Sequence, residues 1–451
     1  MPFSAGRTAR GVIGSPQKRS IPLTPGPHFV NPSASTIGWI ITTVVADLRK
    51  GRLMALPKDG KRPKEVVMDF SLSMEQNILR ESVRDFAENE IRPLAGDLDA
   101  TETFSYELTR AMGELGLFGV FVSEDYGGQE LDYLSYIIAV EELARIDASQ
   151  AATVAAANSL GIGPLYYFGN EDQKKKYLPK LCTGDRLWAF GLTEPDAGSD
   201  AGACQTHAVR DNGGWVINGS KIFITNASTD ISGGTTVLAS TGQKEDGRNE
   251  LSCFIVETGT PGYTAQPMHG KMMWRASNTS TLYFQDCWVP DENLLGERGK
   301  GFHQMLATLD GGRLSIGAMG LGGAQGCFEM ALKYAKERRQ FGRPIASFQA
   351  NAFKLADMAT EIESARLLLY QACCLKSQDK PFSKEAAMAK LHCSEVMGRV
   401  ANHAVQLHGG YGLMKDYDIE RFYRDQKLLE IGEGTSEILR IVIARLIGAF
   451  S

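Results

Sequence analysis

Glu433 stands between two glycines in Ile431-Gly432-Glu433-Gly434-Thr435-Ser436-Glu437-Ile438, just before an apolar-periodic final segment. A carboxylate there suits general-base work, because glycine neighbours let the backbone approach a flat ligand closely and take dihedrals denied to other residues. Thr435 or Ser436 is placed to cap the helix running through Leu439, Ile443 and Leu446. From these residues alone a solvated glutamate in a surface turn is the commoner outcome. A second group is Leu192-Thr193-Glu194-Pro195-Asp196-Ala197-Gly198-Ser199-Asp200, where freed backbone N–H groups and the Thr193 and Ser199 hydroxyls suit a carbonyl edge or a phosphate. Phe223-Ile224-Thr225 offers an aromatic face and a hydroxyl, although a core position serves Phe223 equally well in an alternating strand. Glu337-Arg338-Arg339-Gln340-Phe341-Gly342 ends a helix with two guanidinium groups, which either stabilise the helix terminus or fork onto phosphate oxygens.

The elements that must position these groups follow from periodicity. From Ser73 the apolar residues Ile78, Val83, Phe86, Ile91 and Leu94 recur at helical steps, and Tyr106 to Leu117, Tyr133 to Ile146 and Ala151 to Phe168 read alike. These make an all-helical domain over residues 68–189. Alternation then replaces helical spacing. Trp215 to Ile217 and Lys221 to Thr225 flank Asn218-Gly219, a hairpin signal, and Thr235 to Ala239, Leu251 to Glu257 and Ser280 to Trp288 are further strands. A β domain over 190–298 results. Helical spacing returns at His303 to Asp310, Leu314 to Arg339, Ser347 to Ser377, Ser383 to Leu407 and the final segment, giving an antiparallel bundle over 299–451. The fold class is therefore α+β multidomain.

At 451 residues, 43% hydrophobic and 22% charged, the chain has room for two or three packed units. A net charge of -5 argues against nucleic acid as a partner, and the longest apolar run, Ile37 to Ala46, is too short to span a bilayer. The eight cysteines form no C-x-x-C and read as buried free thiols in a reducing compartment. The seven histidines show no ligand spacing, so no metal is expected. Residues 1–67 hold eleven Lys and Arg against three Asp and Glu, a net +8, which leaves -13 for the remainder. That stretch is a basic leader or extension, with the fold starting near Met68. The expected location is cytoplasmic, or the mitochondrial matrix if the leader includes a transit peptide; the prolines at 2, 16, 22, 25, 27 and 32 argue against one continuous amphipathic helix there.

Taken in order, these motifs resemble the acyl-CoA dehydrogenase family. The terminal turn is similar to E-G-T-x-E/Q, the 192–200 loop to T-E-P-x-A-G-S-D with Asp196 where Gly is usual, Phe223 to Thr225 to W-I-T, Arg338 to Gly342 to R-x-x-F-G, and Gln406-Leu407-His408-Gly409-Gly410 to Q-x-x-G-G. Lys384-Glu385-Ala386-Ala387-Met388-Ala389-Lys390-Leu391 brings the likeness closest to short-chain, butyryl-type members. The resemblance implies an N-terminal helical domain, a middle β-barrel-like domain and a C-terminal helical bundle. It implies FAD held by Phe190, Leu192, Thr193, Ser199, Phe223, Ile224, Thr225, Arg338, Gln340, Phe341, Gln349, Gln406, Gly409, Gly410, Thr435 and Glu437, several reaching across a subunit interface.

Acyl-CoA would meet Ser199, Asp310, Arg313 and Gly434. Glu433 would be the base, since Gly312 occupies the place before Arg313 where some members carry theirs instead. The implied reaction is α,β-dehydrogenation of a short acyl-CoA to the trans-2-enoyl-CoA, with electron-transferring flavoprotein as acceptor and a homotetramer, a dimer of dimers, as assembly. The alternatives are an acyl-CoA oxidase using oxygen and a noncatalytic CoA-binding scaffold. The same site also serves the reverse reduction. Gly432 departs from relatives that place an aromatic residue there.

Overall fold

Caps explain where the helices begin. In a computed structural model of the chain, residues 70–450 are described; the basic leader and the expected start at Met68 lie outside them. Ser73 accepts from Gln76 N while the Gln76 side chain accepts from Ser73 N, a capping box that opens α1, Met74–Phe86. A π-helical turn, Ala87–Ile91, joins it to α2, Arg92–Thr101, where Pro93 occupies the first turn and its missing N–H costs little. Ser105, Asp132 and Asp147 cap α3 (Tyr106–Glu114), α4 (Tyr133–Ala144) and α5 (Ala148–Ala156). A second π turn, Ala157–Ile162, leads into α6, Gly163–Phe168. The helix α7, Glu171–Cys182, is absent from the periodic reading because its first half is a charged run; Asn170 and Gln173 close a capping box there too.

The middle region is an open eight-stranded sheet rather than a barrel. Its strands are β1 Leu187–Gly191, β2 His207–Asp211, β3 Gly214–Thr225, β4 Ser232–Gln243, β5 Asn249–Glu257, β6 Tyr263–Pro267, β7 Thr279–Pro290 and β8 Leu294–Leu295. They run in the order β6-β7-β3-β2-β4-β5-β8, with β1 parallel to β4, so β6 and β8 stay unjoined and the barrel-like expectation is corrected. The predicted hairpin is corrected as well. Asn218-Gly219 lies inside continuous β3, and the turn between β2 and β3 is the other Asn-Gly pair, Asn212-Gly213, both at positive φ. Gly219 serves a close approach instead, since a Cβ there would lie 2.5 Å from Thr206 Oγ1.

The bundle consists of α8 Gly301–Glu337, a small hairpin of β9 Arg339–Gln340 and β10 Arg343–Pro344, then α9 Gln349–Ser377, α10 Ser383–His408, α11 Ile419–Leu429 and α12 Ser436–Leu446. The two segments expected on either side of Asp310 to Arg313 are one uninterrupted helix, α8. Glycine inside a helix costs about 1 kcal/mol relative to alanine, and tertiary contact offsets that cost here. A Cβ at Gly322 would strike the Glu141 carbonyl of α4, one at Gly326 the Arg145 carbonyl, and one at Gly320 would sit 2.9 Å from the Cys393 carbonyl of α10. The glycines let α8 lie against both neighbours, and its buried Leu314, Ala318, Leu321 and Ala324 join Ile137, Val140, Cys393 and Met397 in the main core. Arg421 of α11 forms a buried ion pair with Asp147, tying the cap of α5 to the bundle. Cys374 is exposed, against the expectation for the thiols; the other seven cysteines are buried and all eight are free. Among the described residues no helix is long and apolar enough to cross a membrane.

Candidate active site

The turn carrying Glu433 is closed by its own backbone. Ile431 N and Gly432 N both donate to Leu428 O, at 2.9 and 2.8 Å, and Ser436 N donates to Glu430 O at 2.9 Å. Thr435, not Ser436, is the cap of α12, its Oγ1 accepting from Ile438 N. Only one flanking glycine is conformationally required. Gly434 has φ +101, whereas a Cβ at Gly432 would meet nothing nearer than Leu428 O at 3.5 Å. The residue held in the left-handed region is Glu433 itself, at φ +53, a conformation that costs a non-glycine residue about 1–2 kcal/mol.

The Glu433 carboxylate rests on α8 at Gly312. A Cβ added to Gly312 would fall on Oε2 and lie 2.9 Å from Cδ and 3.3 Å from Leu160 Cδ2. Leu160 belongs to the π turn, whose extra residue is accommodated by buried Asn158: Asn158 Nδ2 donates to Leu117 O and Val154 O, and Oδ1 accepts from Val120 N. Oε2 of Glu433 is buried without a hydrogen-bond partner, as are Arg313 Nε and Ser436 Oγ. Among the described residues the Glu433 N–H also has no acceptor. Burial pushes the Glu433 carboxyl up to about 7, against the pull of the Lys390 and Arg313 charges. Asp310 fixes Arg313 through a 2.5 Å hydrogen bond and accepts from Ser383 Oγ at 2.6 Å. Tyr133 and Tyr136 of α4 also sense the Glu433 charge; their hydroxyls donate to Gly311 O and Ala155 O at 3.0 and 2.8 Å.

The 192–200 loop and the end of β3 form a second group. Ile222 N donates to Thr193 O at 2.9 Å, and Glu194 beneath the loop accepts from Lys221 Nζ at 2.7 Å, Gln205 N at 2.7 Å and Thr206 N at 3.0 Å. Burial would raise the Glu194 carboxyl, but Lys221 and these donors hold it at about 2. Glu194 and Lys221 are structural anchors of the loop that the sequence reading missed. Pairing between β3 and β7 shifts register between Lys221 and Ile224, and Phe223 there takes φ +62 and is 62% exposed. Its ring is thus a free face and not a core residue. Ile224, by contrast, is buried in the sheet core, and Phe190 of β1 is buried in the cluster with Trp188 and Leu165, so the side chains of those two expected cofactor contacts face away from any open surface. Ser199 is exposed, Leu192, Thr193 and Thr225 half-buried. Next to them Asn226 has a buried, unpartnered Oδ1, while its Nδ2 donates to Thr153 O.

A third group is open to solvent. Arg338, Gln340, Leu407, His408, Gly409, Gly410 and Tyr411 line a groove of ≈ 560 Å³, where the Arg338 guanidinium lies 5.6 Å over the Tyr411 ring. Phe341 is 93% exposed, and Gln349 and Gln406 are exposed. None of Glu433, Thr193 or Phe223 lines that groove. Of the two remaining expected contacts, the Thr435 hydroxyl is engaged as a cap and Glu437 is an exposed carboxylate at the start of α12, held low by its own N–H and by Thr435. The described residues hold no His, Cys, Asp and Glu cluster able to bind a metal.

Comparison with known proteins covers nearly all of the described residues. The acyl-CoA dehydrogenase N-terminal, middle and C-terminal domain models match residues 73–185, 189–287 and 299–448. The short-chain specific acyl-CoA dehydrogenase of Clostridium acetobutylicum is 47% identical over 84% of this chain and 99% of its own length. The structure of butyryl-CoA dehydrogenase from Megasphaera elsdenii superposes with TM-score 0.81 at 43% identity, covering 84% of this chain and 100% of that one. A chain solved in work on the electron transferring flavoprotein of Acidaminococcus fermentans gives TM-score 0.82 at 45% identity, over 84% and 100%.

Proposed function

Because this chain belongs to the acyl-CoA dehydrogenase family, close to its short-chain type, and is an FAD-dependent oxidoreductase, we propose that Glu433 is the base in α,β-dehydrogenation of a short acyl-CoA to the trans-2-enoyl-CoA. The observation that carries the reading is the Glu433 carboxylate, buried with Oε2 unpartnered and its pKa lifted to about 7. A carboxylate with no proton donor of its own, at a pKa near the working pH, is poised to accept one from carbon.

The residues present fit a flavin. Phe223 offers a bare aromatic face, Thr193 and Thr225 offer polar groups beside it, and the orphaned Asn226 Oδ1 marks polar capacity left unused in the same place. Arg338, Gln340, Phe341, Gln349, Gln406, Gly409 and Gly410 would hold the distal part of FAD, contributed to a neighbouring subunit of a homotetramer. When bound, the flavin supplies the acceptor for the β-hydride.

The chain's own residues do the rest. The free N–H of Glu433 is available to the thioester carbonyl oxygen as negative charge grows on it, and Glu433 Oε2 takes the α-proton. Gly312 leaves room for that carboxylate, with Leu160 packed against the same glycine. Electron-transferring flavoprotein is the proposed acceptor, supported by the similar chain from the Acidaminococcus fermentans work.

Glu433→Gln tests the reading. The variant keeps its FAD, while anaerobic flavin bleaching by butyryl-CoA slows by about 10²–10⁴-fold; undiminished bleaching rejects the base. In the unmodified enzyme the bleaching rate rises with pH through about 7, since the ionised form of a carboxyl raised to that value accumulates only above it. Comparing oxygen with electron-transferring flavoprotein as reoxidant separates dehydrogenase from oxidase.

A further inference from the structure

Lys390 is fully buried in α10, a position that a lysine occupies only when something inside the protein needs its ammonium. Its Nζ donates to Gly434 O at 2.7 Å, the carbonyl that follows the Glu433 residue. One helical turn further along α10, Ser394 Oγ donates to Leu429 O at 2.9 Å, at the other end of the same turn. Two side chains at i and i+4 therefore grip both ends of the segment that carries Glu433. Among the described residues Lys390 Nζ makes no ion pair, so its charge is not cancelled by direct contact.

The charged and titratable groups around Glu433 come from several elements. Lys390 approaches from α10, Arg313 from α8, and Tyr133 and Tyr136 from α4. Lys390 itself also senses Glu430 at the start of the turn and Glu437 on α12. Arg313 is committed to Asp310, which leaves Lys390 as the cation with no carboxylate bound to it.

Resting on the reading of Glu433 as base, we propose that Lys390 is its positioning residue: the ammonium clamps the turn through the Gly434 carbonyl and supplies the positive charge that keeps the Glu433 carboxylate ionised. Burial draws Lys390 down to about 8, with Glu433 opposing, so it still carries its proton near neutrality. Removing the charge raises the pH at which Glu433 becomes a base, and removing the donor as well loosens the turn.

The test is the pH dependence of anaerobic flavin reduction by butyryl-CoA in the full-length holoenzyme. Lys390→Gln keeps a donor and loses the charge; its ascending limb moves up by about one pH unit, a roughly tenfold lower rate below pH 7, with a plateau within about threefold of the unmodified enzyme. Lys390→Met shifts the limb similarly and also lowers the plateau. Lys390→Arg, whose charge is permanent, keeps the limb at or below its original position. A limb that stays in place in the Gln and Met variants overturns the proposal, whatever happens to their melting temperature. Should those two not accumulate, the Arg variant decides, an upward shift in it being the contrary result. Glu433→Gln is run alongside. Reduction that persists there sinks the base assignment itself, whereas lost reduction there with unshifted limbs elsewhere sinks only the role of Lys390.

Discussion

Glu433 and Arg338 sit in opposite surroundings. Around Glu433 the chain is close-packed: the carboxylate lies on Gly312 with Leu160 beside that glycine, and Lys390 and Ser394 hold the turn. Around Arg338 it is open, with a shallow groove, a fully presented Phe341 and exposed Gln349 and Gln406. Proton abstraction needs a desolvated base held to a fraction of an ångström, which one chain can provide by packing. Gripping the far end of a large cofactor needs charge and hydrogen-bond donors facing outward, and an outward face gains strength only when something closes over it. On the proposed reading, the chemistry and the grip are built by different means in one molecule.

Substitutions can break that contrast. The largest effect is expected at Gly312→Ala, whose added methyl lands on Glu433 Oε2. Displacing the proposed base by about 1 Å costs on the order of 10²-fold in rate, so flavin reduction in rapid mixing drops by that factor while FAD content holds. An unchanged rate would mean that the carboxylate is not confined against α8. Next comes Arg338→Ala at the open end. Loss of a guanidinium from a phosphate is worth about 1.5–3 kcal/mol, so FAD is retained at least tenfold more weakly through gel filtration, while the reduction rate per bound flavin stays the same. A slower rate per flavin would join the two ends that the geometry separates.

The smallest effect distinguishes the two glycines beside Glu433. Gly434→Ala, forced to φ +101, lowers stability by about 1 kcal/mol or more. Gly432→Ala, which meets only ordinary contacts, stays within about 0.5 kcal/mol. Thermal melts of the pair check this, and equal losses would show that the turn is strained on both sides.

Much of this arrangement is legible in the residue order. Capping residues, helical spacing and alternation place most elements, and the motif resemblance is what proposes roles for Glu433, Thr193 and Arg338. The failures share a cause, which is that glycine has two uses with the same spelling. At Gly311-Gly312 two glycines read as a break and are the close-packed middle of a 37-residue helix. At Asn218-Gly219 a turn signal is a mid-strand approach to Thr206, and the true turn uses Asn212-Gly213. Local chemistry does not say whether a missing side chain serves a bend or a neighbour. Lys390 was within reach: it shares a helix face with Ala386, Cys393 and Met397, all buried, and a lysine on such a face asks for an internal partner.

By itself the sequence determined the kind of elements, their order and the residue types gathered near the end of the chain, because capping, periodicity and turn chemistry act over a few residues. Only the tertiary structure decided that Oε2 of Glu433 is buried, that its neighbours are Gly312, Leu160 and Lys390, and that Phe223 faces outward. Those outcomes depend on segments distant in the chain meeting in space, Leu160 and Gly312 both lying more than a hundred residues before Glu433, and desolvation, which lifts Glu433 to about 7, exists only once they have met.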